Sequence, residues 1–151
     1  MGSIGGVDDP ARIARHLDEI GVDAERRGAR EWSVQVPCAK RGSIGVLLTV
    51  RERTLVLRAF VVRGPDQALE DVYARLLHKN LATRHWRFGI DDVGDVYALA
   101  DAVLADLDCD ALDGLLGSLS ALIDETFESL VRTGFHVPEG TEFRPPPPSP
   151  E

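Results

Sequence analysis

The sequence predicts an α+β domain of order α-β-β-β-α-β-β-α, with three helices packed on an antiparallel five-stranded sheet. Three observations carry this. Between 31 and 62 the apolar residues fall into three strand-like runs separated only by short turns, and consecutive strands so joined must run antiparallel. A second strand pair over 86–100 surrounds an Asp/Gly-rich turn. From 112 to 131 the apolar spacing switches to steps of three and four, the stripe of a long amphipathic helix.

In chain order, Asp9 followed by Pro10 reads as N-cap and first residue of a helix, because proline has no N–H to leave unpaired there. Ile13, Leu17 and Ile20 form its narrow apolar face and Gly21 ends it. Residues 21–30 read as a charged connector. Trp32, Val34 and Val36 alternate with polar residues in a first strand that ends at Pro37. The turn CAKRGS leads to a second strand with Ile44, Val46, Leu48 and Val50 on one face. The turn RERT leads to a third, 55–62, which is apolar on both sides apart from Arg58 and therefore central.

Gly64, Pro65 and Asp66 break the sheet. A second helix is expected over about 67–81, with Leu69, Val72, Tyr73, Leu76, Leu77 and Leu81 as its apolar face and Asp71–Arg75 as an i,i+4 pair. Trp86, Phe88 and Ile90 alternate in the next strand. Asp91, Asp92, Gly94 and Asp95 are turn residues, and Val96 to Ala100 form the last strand. The long helix carries Leu112, Leu115, Leu116, Leu119, Leu122, Ile123, Phe127, Leu130 and Val131. Asp108 or Asp110 is its N-cap, Gly134 its stop, and Phe135 folds back on the apolar face. The reading gives one domain, 9–136, and a Pro-rich flexible tail, 137–151, which a partner domain could take as a polyproline ligand.

Net charge is −8, with 11 basic against 8 acidic residues through Arg63 and 6 against 17 after it. An acidic chain without a basic cluster is a poor nucleic-acid ligand, since phosphate neutralisation supplies most of that affinity. The asymmetry does let two copies, or a basic partner, attract one another. No apolar run approaches the ~20 residues that span a bilayer. The N-terminal stretch lacks the charged-then-apolar layout of a secretory signal, so a cytoplasmic protein with no membrane partner is expected. Cys38 and Cys109 have no metal or redox spacing and are expected as reduced thiols.

No catalytic, cofactor-binding or metal-ligating residues are assigned. The run Asp106-x-Asp108-x-Asp110 suggests a calcium loop, but Ala111 stands where the turn glycine is needed and Gly117 where a bidentate glutamate is needed. His16, His78, His85 and His136 lie on four separate elements with no metal-site spacing. Ser118 and Ser120 sit inside a helix, a poor place for an activated nucleophile. With no phosphate loop, nucleophile elbow or paired carboxylates, the expectation is a non-enzyme without a cofactor.

The stretch from about Asn80 to Phe135 resembles the YbjN family, bacterial sensory transduction regulators. The resemblance rests on Phe88, Asp91, the run Gly94-Asp95-Val96-Tyr97-Ala98-Leu99, the helix pattern Leu112-Asp113 with Leu115-Leu116-Gly117, then Glu125 and Gly134-Phe135. Upstream, Trp32 and the strand pair 46–51 and 55–63 match in element order. The family implies the fold of type III secretion chaperones, commonly homodimers that bind another protein, with no enzymatic activity.

Two functions follow as expectations. The first is a non-catalytic protein-binding domain, chaperone-like or a regulatory adaptor, acting through exposed sheet or helix surface as a homodimer with an unidentified protein partner. Its motivation is the third strand, apolar on both sides, which leaves a sheet face or edge for a partner. The alternative is a ligand-sensing domain with a pocket between sheet and helices near Trp86, Phe88 and Tyr97.

Overall fold

A computed structural model describes residues 8–136. The elements run α1 (Asp8–Ile20), β1 (Asp23–Gly28), β2 (Glu31–Cys38), β3 (Gly42–Val50), β4 (Thr54–Val62), α2 (Leu69–Ala82), β5 (Arg87–Ile90), β6 (Val96–Val103), a short 3-10 turn (Leu104–Asp106) and α3 (Cys109–Gly134). The sheet is antiparallel throughout, in the order β1-β2-β3-β4-β6-β5. It has six strands rather than five. The extra one is β1, in the stretch read as a charged connector.

β1 evaded the apolar pattern because DAERRG is exposed at every position. It is an edge strand, and its charges keep that edge from pairing with another chain. Arg26 pairs with Trp32 across the ladder and lies over the indole, 5.0 Å from the ring centroid. β4 is central, as expected, between β3 and β6.

Alternation decides which face is buried. Trp32, Val34 and Val36 of β2, Ile44, Val46, Leu48 and Val50 of β3, Leu55, Leu57 and Ala59 of β4, and Val96, Ala98 and Ala100 of β6 all point into the core. α3 closes that core: 26 residues, about 39 Å long at the α-helical rise. All nine of its expected stripe residues are buried. Its N-cap is Asp108, whose side chain accepts from the Ala111 N–H at 2.8 Å.

Two local expectations change, and a third gains a physical reason. Asp9 lies inside α1, which opens at Asp8, and its carboxylate takes Arg12 at 2.9 Å. Arg75 does not serve a helix-internal pair; it donates to Ser129 Oγ at 3.1 Å. Gly134 is placed by packing: a Cβ there would stand 2.9 Å from Pro65 Cβ and 3.1 Å from Val72 Cγ2. Its carbonyl accepts from the Asp66 and Gln67 N–H groups at 2.7 and 3.1 Å, so the helix end anchors the turn after β4. The expected tail, 137–151, lies outside the described residues.

Candidate functional site

The helices bury one face of the sheet. The opposite face presents the alternate residues of the same strands: Ser33 and Gln35 of β2, Arg58 of β4 and Asp101 of β6 are polar, and an apolar group lies among them. Leu47 is exposed, and Val56, Phe60, Tyr97 and Leu99 are partly buried. The register lines them up. Leu47 pairs with Arg58 and Arg58 with Leu99, which in turn faces Arg87; Phe60 pairs with Tyr97 and Tyr97 with Gly89.

Geometry at the centre of this patch is specific. The Phe60 and Tyr97 rings meet edge to face, centroids 5.6 Å apart and planes at 82°. The Arg58 guanidinium lies over Tyr97 at 4.1 Å from its centroid. Gly89 matters because Leu99 leans over it: a Cβ there would lie 3.2 Å from Leu99 Cδ1. The result is an aromatic and aliphatic floor with a cation stacked on it, the composition that recurs at protein-binding surfaces.

A second concavity, 340 Å³, lies between α2, α3 and β5. Leu76, Ala82, Phe88 and Leu130 supply its apolar lining, and Arg75, His78, Lys79 and Glu125 its charged and titratable rim. Lys79 Nζ and Glu125 pair at 2.7 Å at this rim. Trp86, Phe88 and Tyr97 do not share a pocket as expected. Trp86 is in the core, its indole donating to the Leu115 carbonyl at 2.9 Å; Phe88 lines the groove; Tyr97 is on the other side of the sheet.

The acidic turn is structural. Asp91 Oδ1 accepts from the Val93 and Asp95 N–H groups, Gly94 takes φ 90°, and Asp95 Oδ1 accepts from the Gly64 N–H at 2.8 Å. Ser118 and Ser120 hydroxyls donate to the Leu115 and Pro37 carbonyls. Cys38 is buried, and burial pushes its thiol up. Burial, then the Glu19 carboxylate, pushes the Cys109 thiol up as well. His85 and His136 are exposed, and His78 is at the groove rim. His16 is the exception, because α1 brings it beside Cys109.

With this architecture in view, the family model described as "putative bacterial sensory transduction regulator", YbjN, matches residues 9–132. The chain belongs to the YbjN family. An uncharacterized protein of Mycobacterium tuberculosis is 34% identical over 102 residues, which cover 68% of this chain and 56% of that protein. The chain thus spans little more than half the length of that relative. Among solved structures, E. coli YbjN superposes with a TM-score of 0.58 at 12% identity, over 80% of this chain and 90% of that one. The type III secretion chaperone SycH of Yersinia pestis, in complex with a fragment of YscM2, gives 0.52 at 20% identity, over 79% and 98%. These YbjN and chaperone likenesses define the fold.

Proposed function

We propose that this YbjN domain is a non-catalytic protein-binding module, chaperone-like or a regulatory adaptor, which works as a homodimer and takes its partner on the open sheet face. The observation that carries the reading is the Leu47, Val56, Phe60, Tyr97, Leu99 floor with Arg58 stacked at its centre. A wholly solvated sheet face would alternate to polar residues; here Val56 and Phe60 of β4 and Tyr97 and Leu99 of β6 are apolar or aromatic beside the charged Arg58 and Asp101. The Yersinia chaperone of like fold holds a protein fragment, which supports a protein rather than a nucleic acid as the occupant. Net charge −8 points the same way. Among the described residues no helix is long and apolar enough to cross a membrane.

The homodimer reading rests on α2. Leu77 and Leu81, expected on the apolar face of this helix, are 66% and 88% exposed. Asn80 ties this helix to the edge strand β5 by accepting from the Phe88 N–H at 2.7 Å and donating to its carbonyl at 3.2 Å. Ile90 and Val93, at and just beyond the end of β5, are 48% and 76% exposed. A second copy docked along α2 and β5 would bury all four.

The test is capture from the native cell lysate by the wild-type chain and by a Phe60→Asp/Tyr97→Ala variant of unchanged circular dichroism. A stoichiometric partner lost by the variant supports the reading; equal retention removes the open face from it. The groove supports a second reading, a ligand-sensing domain, since its 340 Å³ combines an apolar lining with a polar rim of Arg75, His78 and the Lys79–Glu125 pair. A metabolite screen in which no compound raises the melting temperature would count against it.

A further inference from the structure

The packing of α1 against the start of α3 collects three donors of different chemistry. His16 and Glu19 are three residues apart, hence on one face of α1. Cys109 is the first residue of α3. One ligand atom from each, an imidazole nitrogen, a carboxylate oxygen and the thiol sulfur, all lie within 4.8 Å of one another. A separate observation concerns the imidazole: both ring nitrogens of His16 are buried, and neither has a hydrogen-bond partner among the described residues. Buried polar atoms are paired as a rule, so an imidazole with two orphan nitrogens calls for a ligand.

We propose that His16, Glu19 and Cys109 form a binding site for a zinc-class divalent transition-metal ion that staples α1 to α3. The donor set selects the class. Nitrogen and thiolate sulfur suit Zn²⁺ and its borderline-soft neighbours, whereas Ca²⁺ and Mg²⁺ take oxygen shells. Bond lengths of about 2.0–2.3 Å around a tetrahedral ion set the donors roughly 3.3–3.7 Å apart. The present spacing closes to this by side-chain rotation, most simply at Glu19, which is exposed. Coordination takes one His16 nitrogen, and the Cys109 thiol releases its proton to solvent as the metal–sulfur bond forms. The fourth tetrahedral position is left to water.

The surroundings favour a cation. Asp110 and Asp113 add negative charge around Cys109. The backbones that carry the donors are already fixed: Arg12, one turn before His16, donates to the Leu104 and Leu107 carbonyls at 2.8 and 3.4 Å, and Ile13 and Leu17 are buried beneath. An ion therefore meets a largely prearranged site. Sequence spacing hides this site, since 93 residues separate His16 from Cys109.

The experiment is a Co²⁺ titration of the full chain without a polyhistidine tag, under non-thiol reductant, followed by absorption. Expected are a near-ultraviolet thiolate-to-cobalt band and visible bands of tetrahedral intensity, saturating at one ion per chain and displaced by Zn²⁺. Cys109→Ser abolishes the near-ultraviolet band. His16→Ala and Glu19→Gln each weaken binding by more than ~10-fold. Cys38→Ser changes nothing. Glu19→Gln alters an exposed side chain, so it remains informative even where His16→Ala perturbs folding, which circular dichroism monitors. No saturable thiolate band in the wild-type chain, a band that survives Cys109→Ser, or an affinity unmoved by Glu19→Gln would overturn the proposal.

Discussion

The Arg58 guanidinium lies 4.1 Å from the centroid of the Tyr97 ring, on the sheet face that the helices leave open. That stack and the Phe60 edge contact are each worth about 0.5–1.5 kcal/mol. Tyr97→Ala is therefore expected to cost only ~1–2 kcal/mol in urea denaturation while abolishing partner capture. Leu57→Ala, next to Arg58 on β4 but facing the core, is expected to cost ~2–5 kcal/mol. Partner binding that tracks stability in both variants, rather than the face, would sink the open-face assignment.

Two glycines of α3 are expected to respond to alanine with opposite signs. Gly134→Ala drives a Cβ into Pro65 and Val72, both backed by packed structure, and is expected to destabilise by ~1–3 kcal/mol. Gly114 has no atom within 4 Å of the corresponding position, so Gly114→Ala gains helix propensity of up to ~1 kcal/mol. Thermal melts of the two single variants, measured side by side, check the signs.

These glycines also mark how far the sequence could be read. The apolar period of α3 and the alternation of β2 and β3 were legible because each encodes a single buried face. The turn at Asp91–Gly94 was legible because its chemistry is local. β1 was not, because an edge strand made of Asp, Glu and Arg has no buried face to encode; the Gly28-Ala29-Arg30 turn before Trp32 was the one available signal. The exposure of Leu77 and Leu81 was illegible for the converse reason: their helical spacing marks an apolar face without saying whether the same chain or another covers it. Gly134 ends α3 as its sequence position suggests, and only the approach of Pro65 reveals why no side chain fits. The meeting of His16 with Cys109 depends on long-range packing that no local pattern reports.

Trp86 tests the join between the β5 hairpin and α3. Its indole N–H donates to the Leu115 carbonyl, which also accepts from the Ser118 hydroxyl at 2.9 Å. Trp86→Phe keeps an aromatic ring in the core and leaves that carbonyl paired. The expected loss is thus near the size of one net hydrogen bond plus a small volume change, ~1–2 kcal/mol. Trp86→Phe/Ser118→Ala removes both side-chain donors, but the Leu115 carbonyl, inside α3, keeps its backbone bond from the Leu119 N–H, so the two losses are expected to add within ~0.5 kcal/mol, which a double-mutant cycle reads directly.

Leu81 separates the dimer from the fold. It is 88% exposed within one chain, so Leu81→Glu alters nothing the monomer buries and is expected to move monomer stability by no more than ~0.5 kcal/mol. In a dimer docked along α2, the same change sets two carboxylates in an apolar contact, where neither finds a partner and both lose solvent. Sedimentation velocity at micromolar concentration is expected to show a dimer for the wild-type chain and a monomer for Leu81→Glu, with Leu69→Glu, at the opposite end of α2, as the comparison. A wild-type monomer across that range removes the homodimer. A dimer that persists in Leu81→Glu instead moves the contact away from the C-terminal half of α2 and leaves the open sheet face as the surface to test next.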